Sequence, residues 1–281
     1  MIEKYKNTPI PKRSKRVTTR DFGIIEFDEA SSDNDEDLLD ALQHGLSGES
    51  YYSRTDGFNA PYYETLPNTY NTVFLREGLV QQLLKVNAEL KTADLELFLL
   101  DGHRPISVQQ SIWDFFMKRA EDVLDNPNEQ QKEDFVVQYA SDPRKFNIDD
   151  PTSWPLHSTG GAIDLTLKRL NFPEIMYMGC IFDDPAPQSG THFFEDKLIN
   201  DPENFSSSDQ AALENRRILY HAMINNGFTN FDFEIWHYDF KTQLWALTKN
   251  IEEDTNKYKA SYKTTVLENN DGSNVIKSDF F

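Results

Sequence analysis

The stretch of sequence that decides the fold reads PLHSTGGAIDLTL and occupies residues 155–167. Its paired glycines, Gly160 and Gly161, disfavour a helix, because glycine loses more backbone freedom on folding than any other residue. Beyond them apolar and polar side chains alternate, which is the pattern of a β-strand with one buried face. We therefore predict that His157 lies on a loop and that Asp164, seven residues later, lies within the strand that follows.

A second polar pair stands in FDFEIWHYDF at residues 231–240, where aromatic and polar residues alternate as in a strand. Glu234 and His237 are three residues apart, so a regular strand would point them to opposite faces. Both side chains can serve one site only if the strand is irregular near Glu234. We predict such an irregularity, since bulges are common beside active sites.

A third feature is DGHRP at residues 101–105. The apolar run 95–100 before it predicts a buried strand, which delivers Asp101 and Arg104 from its C-terminal end. Arg104 is therefore expected on a turn between a strand and a helix.

Three helices are also predicted. Ser107 and Gln110 have the spacing of a capping box, which predicts a helix that begins there and continues through Phe116. Residues 209–226 have helical spacing, with Gly227 at the expected C-cap. The remaining helix has an apolar stripe at helical spacing, formed by Leu79, Val80, Leu83, Leu84, Val86 and Leu90.

Composition excludes several classes of protein. The chain has 281 residues, 38% of them hydrophobic, which is typical of a globular protein. A net charge of -19 argues against nucleic acid and against an anionic membrane as partners. Cys180 is the only cysteine, so an intramolecular disulfide and an all-cysteine zinc site are excluded. Without a visible signal peptide we expect a cytoplasmic protein, or a periplasmic one if its start is processed.

Charge is also unevenly placed at the N-terminus. Residues 1–20 are basic and residues 28–40 are acidic. We expect two solvated segments, with a weak pairing of the two as the alternative.

The polar residues of these motifs suit a metallohydrolase. His157, Asp164 and His237 supply the three ligands that a catalytic zinc ion takes from a protein, one ion per chain, with a fourth position left for water. A base must take a proton when that water attacks a carbonyl, and Glu234 stands close to a ligand in the sequence. Arg104 is the candidate for stabilising negative charge on the carbonyl oxygen.

Each feature taken alone also has a structural explanation. An isolated His-x₆-Asp or Glu-x-x-His spacing is weak evidence for a metal, and Arg104 could pair with a surface carboxylate. Asp183 could belong to a turn, or it could bind a substrate ammonium by a charge-assisted hydrogen bond. The other histidines, His44, His103, His192 and His221, are expected outside the ligand set.

Taken together, the motifs resemble the VanX-type D-alanyl-D-alanine dipeptidases, zinc enzymes of the hedgehog/DD-peptidase fold. The sequence departs from that pattern at Pro155, where the glycopeptide-resistance members carry Ser, and at His103, where Tyr is common. The matching pieces occur in family order between about residues 70 and 248 and are DGHRP at 101–105, HSTGGAIDLTL at 157–167, MG at 178–179, FD at 182–183, NRR at 215–217 and EIWHY at 234–238.

This resemblance implies an α+β fold in which one domain has a central, mostly antiparallel sheet flanked by helices. It implies that Glu234 is the catalytic acid and base, that Arg104 stabilises the tetrahedral intermediate, and that Asp183 anchors the free amino group of a dipeptide. The zinc ligands that it implies are His157, Asp164 and His237.

We expect three regions: a polar N-terminal extension at 1–50, a zinc D,D-dipeptidase domain at 51–248 with an insertion at 121–152, and a C-terminal tail at 249–281. A short strand is expected at 22–27.

The expected reaction is zinc-dependent hydrolysis of a small D,D-dipeptide, with D-Ala-D-Ala as the default substrate. One alternative is a D,D- or L,D-carboxypeptidase acting on peptidoglycan stem peptides, which should be exported and have an open cleft. Another is a non-catalytic zinc-binding module of the same fold, which should have lost Glu234 or Arg104. A structural or adaptor protein that uses its acidic surface would leave the matched motifs unexplained. The oligomeric state is left open.

Overall fold

The computed structural model describes residues 1–15, 17, 25–137, 140–184 and 186–265. Seven strands and seven α-helices lie in these ranges. The strands are β1 (Leu38–Asp40), β2 (Ser47–Gly48), β3 (Phe74–Arg76), β4 (Leu95–Asp101), β5 (Ala162–Arg169), β6 (Thr229–Phe231) and β7 (Glu234–Asp239). The α-helices are α1 (Ile2–Lys6), α2 (Glu77–Leu90), α3 (Ile106–Val123), α4 (Glu129–Val136), α5 (Phe193–Asn200), α6 (Ser207–Asn225) and α7 (Gln243–Glu252).

Five of the strands form the main sheet, in the order β2-β4-β5-β7-β6. The β2–β4 pairing is parallel, and the other three pairings are antiparallel. β1 and β3 form a separate antiparallel ribbon. The predicted α+β class with a mostly antiparallel central sheet is therefore confirmed.

The larger apolar core covers one face of the main sheet. Ile163, Leu165 and Leu167 alternate along β5 and pack in one cluster with apolar residues of α2 and α6. Asp164 lies between the first two, so its side chain points to the opposite face. The predicted stripe of α2 is confirmed, since all its members are buried except Leu84, which is partly buried.

The strand at 95–100 and the helix at 209–226 are confirmed within one or two residues, as β4 and α6. Gly227 follows α6 with φ +90°, a backbone conformation that glycine adopts without strain. The helix after Arg104 also exists, but its predicted capping box is wrong. Pro105 occupies the N-cap position, and the helix begins at Ile106.

Ser107 therefore lies inside the first turn of α3. Its hydroxyl is buried and has no hydrogen-bond partner in the described part of the chain. Gln110 instead donates to Asp114 Oδ1. The chain has a capping box elsewhere, at the start of α4, where Asn128 and Gln131 exchange side-chain to backbone bonds. α4 lies within the expected insertion at 121–152.

The prediction of a single strand over residues 231–240 is also wrong. β6 and β7 form a tight hairpin, with Asp232 and Phe233 in the turn and Phe231 paired with Glu234. The predicted irregularity near Glu234 is confirmed, because the β6–β7 register shifts between Asn230 and Phe231.

The two charged segments near the N-terminus contact the rest of the fold. Lys6 pairs with Glu214 at 3.0 Å, so it does not pair with the acidic segment. Asp33, in the acidic segment, pairs with Lys241 at 2.7 Å and accepts from Ser261. The acidic run is thus anchored, which contradicts the expectation of a solvated segment.

The strand expected at 22–27 falls mostly outside the described residues, which resume at Ile25. Phe27 forms an isolated bridge with Ala260. Farther along, the Thr265 N–H donates to the Ser158 carbonyl at 3.0 Å. Among the described helices, none is both long enough and apolar enough to cross a bilayer.

We predict that Leu83→Ala lowers the free energy of unfolding by about 2 to 5 kcal/mol, because it empties a fully buried position in the core. Leu84→Ala, at the next and only partly buried position of the same helix, should cost clearly less. Equilibrium urea denaturation of both variants measures the difference. Equal losses would contradict the packing of α2 described above.

Candidate active site

Three of the predicted site residues come together at the centre of the main sheet. Asp164 on β5 and His237 on β7 are register partners, and His157 lies in the 3-10 turn Leu156–Thr159 just before β5. His157 Nε2 is 3.3 Å from His237 Nδ1 and 3.4 Å from Asp164 Oδ2, and His237 Nδ1 is 3.1 Å from Asp164 Oδ1. All three side chains are buried. Gly160 follows the turn at φ +71°, and this left-handed residue lets the chain reverse into β5.

The spacing of these atoms fits a metal ion. A tetrahedral zinc ion with bonds of about 2.0 to 2.1 Å separates its ligand atoms by roughly 3.3 Å. The 3.3 Å between the two imidazole nitrogens matches that separation, and each of these nitrogens lies 3.1 to 3.4 Å from one oxygen of the Asp164 carboxylate, Oδ2 for His157 and Oδ1 for His237. Two imidazoles with one carboxylate are a donor set that zinc accepts. The cluster can therefore hold a metal ion.

In each imidazole, the ring nitrogen that faces away from the cluster already forms a hydrogen bond. His157 Nδ1 donates to the Gly102 carbonyl at 2.8 Å, and His237 Nε2 donates to Asp239 Oδ2 at 3.0 Å. These bonds assign the ring protons by geometry and leave His157 Nε2 and His237 Nδ1 to face Asp164.

Charge within the cluster also suits a cation. Burial raises the pKa of Asp164, but His157 and His237 lower it by more, so its pKa lies well below the usual range. Burial lowers the pKa of His237, while Asp239 and Asp164 raise it well above the usual value.

Arg104 lies beside the cluster, after the end of β4. Its Nε donates to Asp101 at 2.9 Å, Nη1 to Gln109 at 3.0 Å and Nη2 to the Tyr52 hydroxyl at 2.9 Å. Nη2 is also 3.5 Å from Asp164 Oδ2. Burial lowers the pKa of Arg104, but Tyr52 and the nearby carboxylates raise it by more, so the guanidinium stays charged. It is a rigid cation at the edge of the cluster.

Glu234 and Asp183 border the same space. Glu234 opens β7, and its Oε2 is 3.9 Å from His237 Nδ1. Its burial in the pocket raises the pKa of Glu234 to about 8, with His237 opposing that rise. Asp183 lies in a turn at φ +59° and accepts from the hydroxyls of Tyr52 and Tyr62. Burial raises the pKa of Asp183, and Arg104 opposes that rise.

All six predicted site residues line one cavity of about 120 Å³. Part of its wall comes from the expected insertion, through Val137, Ala140 and Ser141. A larger cleft of about 620 Å³ lies beside Arg13 and His192, and none of the described residues that line it is a predicted site residue.

The remaining histidines lie outside the cluster, as predicted. Each directs a ring nitrogen at a backbone carbonyl: His44 at Asp40, His103 at Thr265, His192 at Pro11 and His221 at Thr8.

Sequence reasoning missed three residues of the site, Tyr52, Gln109 and Asp239. A signal existed for Asp239, because residues two apart in a strand share a face and His237 is two residues before it. Tyr52 and Gln109 had no comparable signal, since only the tertiary fold brings Tyr52 to Arg104. Asp101, which the sequence places at the end of the strand before Arg104, orients the arginine.

This fold and this site define an α+β protein with a buried His-Asp-His cluster that could hold a metal ion, and with a carboxylate and an arginine around one small pocket. Residues 34–257 match the peptidase M15 family, described as D-ala-D-ala dipeptidase, and the chain belongs to this family of peptidases. The resemblance found from the motifs is thereby confirmed.

Individual relatives agree with this assignment. The D-alanyl-D-alanine dipeptidase of Enterococcus faecium is 29% identical over 208 residues, which cover 72% of this chain and 89% of the relative. The D-alanyl-D-alanine dipeptidase of Synechocystis sp. (strain ATCC 27184 / PCC 6803 / Kazusa) is 30% identical over 183 residues, which cover 61% of this chain and 71% of the relative.

Among solved structures, a mutant of the vancomycin resistance D,D-pentapeptidase VanY from a VanB-type resistance cassette, in complex with Zn(II), aligns with a TM-score of 0.35 and 13% identity. The alignment covers 70% of this chain and 88% of VanY.

Proposed function

We propose that this chain is a zinc-dependent dipeptidase that hydrolyses D,D-dipeptides, with D-Ala-D-Ala as the default substrate. The observation that carries the proposal is the meeting of His157, Asp164 and His237 with Glu234 and Arg104 around one pocket. Membership of the family supports the D configuration of the substrate.

In this proposal His157 Nε2, His237 Nδ1 and one oxygen of Asp164 would hold the zinc ion. When bound, zinc lowers the pKa of a water molecule to roughly 7 and polarises a carbonyl. Glu234 takes the proton of the attacking water on its carboxylate and returns that proton to the nitrogen of the leaving amine. No covalent bond to the protein is required.

Arg104 stabilises the negative charge that develops on the carbonyl oxygen. Its bonds to Asp101, Gln109 and Tyr52 hold the guanidinium in place before substrate arrives, so little reorganisation is needed during the reaction.

Asp183 binds the free amino group of the substrate. The Tyr52 hydroxyl accepts from Arg104 and donates to Asp183, so the anchor and the cation are one tyrosine apart. A dipeptide whose ammonium pairs with Asp183 therefore presents its carbonyl near Arg104. A cavity of about 120 Å³, with one wall from the insertion, suits two small residues better than a stem peptide.

The number of zinc ions bound per chain tests the assignment of the metal ligands. We predict about one ion per chain in the wild-type protein and loss of the metal in His157→Ala, which removes one of three protein ligands. His192→Ala is the control, because His192 lies outside the cluster. Elemental analysis of the purified proteins measures both. Full zinc occupancy in His157→Ala would remove that residue from the ligand set.

The role of Glu234 is tested by separating metal content from turnover. We predict that Glu234→Ala keeps its zinc and loses a factor of about 10² to 10⁴ in kcat, the usual contribution of a general base. Glu174→Ala, at an exposed position, should keep both its zinc and its kcat. An active Glu234→Ala protein with full zinc would rule out this role.

The substrate class is tested with a panel of D,D-, L,D- and L,L-dipeptides, a D,D-ending tripeptide and N-acetyl-D-Ala-D-Ala. We predict hydrolysis of free D-Ala-D-Ala and little activity on the acetylated form, because acetylation removes the charge that pairs with Asp183. Asp183→Asn should raise KM for the free dipeptide. Faster cleavage of the tripeptide than of the dipeptide would favour the carboxypeptidase alternative.

A further inference from the structure

Asp239 is a buried carboxylate directly behind His237. It ends β7 two residues after His237, on the same face of the strand, and its side chain is fully buried. Its Oδ2 accepts from His237 Nε2 at 3.0 Å, and its Oδ1 accepts from the Thr242 hydroxyl at 2.6 Å. Asp239 is not among the residues that line the cavity of the site.

A carboxylate is costly to bury unless its oxygens are bonded and its charge is balanced. Thr242 is neutral, and its hydroxyl also accepts from the Trp245 N–H at the start of α7. Thr242 therefore ties Asp239 to the beginning of that helix without supplying charge. The other donor to this carboxylate is the Nε2–H of the His237 imidazole.

The two imidazoles of the cluster have different partners behind them. His157 Nδ1 donates to the Gly102 carbonyl, and the Asp101 carboxylate, 3.4 Å from that nitrogen, is already paired with Arg104. His237 Nε2 instead donates directly to the Asp239 carboxylate at 3.0 Å. A carboxylate behind an imidazole fixes the ring proton and makes the opposite nitrogen a stronger donor to a metal.

We infer that Asp239 is a positioning residue that holds His237 as an Nδ1 ligand and strengthens zinc binding, with Thr242 fixing the carboxylate in turn. This inference rests on the zinc site proposed above. Asp239 touches neither substrate nor metal in this arrangement and acts only through the imidazole.

Zinc affinity of the purified protein, measured by competition with a chelating dye, tests the inference. Asp239→Ala should bind zinc about 10 to 100 times more weakly than wild type, the usual effect of losing such a partner. Asp239→Asn should lie between the two, because its amide oxygen can still accept from His237. Equal affinity of Asp239→Ala and wild type would overturn the inference.

Glu195→Gln is the matched control. Glu195 is also a buried carboxylate, but it accepts from Arg217 and from the Ile10 N–H, outside the cluster. A purely structural effect of losing a buried carboxylate would lower zinc affinity in both variants, whereas our inference requires a loss only at Asp239. A wild-type protein that binds no zinc would instead refute the zinc site itself.

A second measurement uses the wild-type protein, so it does not depend on whether an Asp239 variant folds. In zinc-loaded wild-type protein with ¹⁵N-labelled histidine, NMR should find the ring proton of His237 on Nε2, with the signal assigned by its loss in His237→Gln. A proton on Nδ1 would overturn the inference.

Discussion

The antiparallel pairing of β5 with β7 is the constraint on which the site depends, because it sets Asp164 directly opposite His237. Side chains that face each other in such a pair have Cβ atoms about 5 Å apart, so an aspartate and an imidazole meet without any change in the backbone. A slip of one residue would turn Asp164 to the other face of the sheet. The neighbouring pair, Ile163 with Tyr238, belongs to the main apolar core. The packing that stabilises the fold therefore also sets the register of the cluster.

A buried polar cluster is stable only if the atoms that face away from it are also bonded. In this site Gly102, Asp239 and Asp101 meet that need for His157, His237 and Arg104. The same bonds restrict ring rotation and hold the guanidinium. The polar groups are thus arranged before any ligand binds, which is what electrostatic stabilisation of a transition state requires.

Some of the residues that shape and support the site come from segments without a recognisable motif. Tyr52 and Tyr62 lie well before the first matched motif in the chain, yet both donate to Asp183. The expected insertion adds Val137, Ala140 and Ser141 to the cavity wall. The shape of the pocket therefore depends in part on segments of the chain that carry no motif of their own.

Local patterns in the sequence were enough to predict β4, α2, α6 and the elements that carry His157 and Asp164, because apolar periodicity and paired glycines act over a few residues. They also indicated which polar residues share a site. They did not separate β6 from β7, since alternation looks the same in one strand as in a hairpin whose turn, Asp232 and Phe233, has no glycine or proline. The start of α3 was misplaced because Pro105, which occupies the N-cap position, has no side chain that can form a capping hydrogen bond. Only the tertiary structure decided the partners of Arg104 and Asp183, because Tyr52 reaches them through packing between segments far apart in the chain.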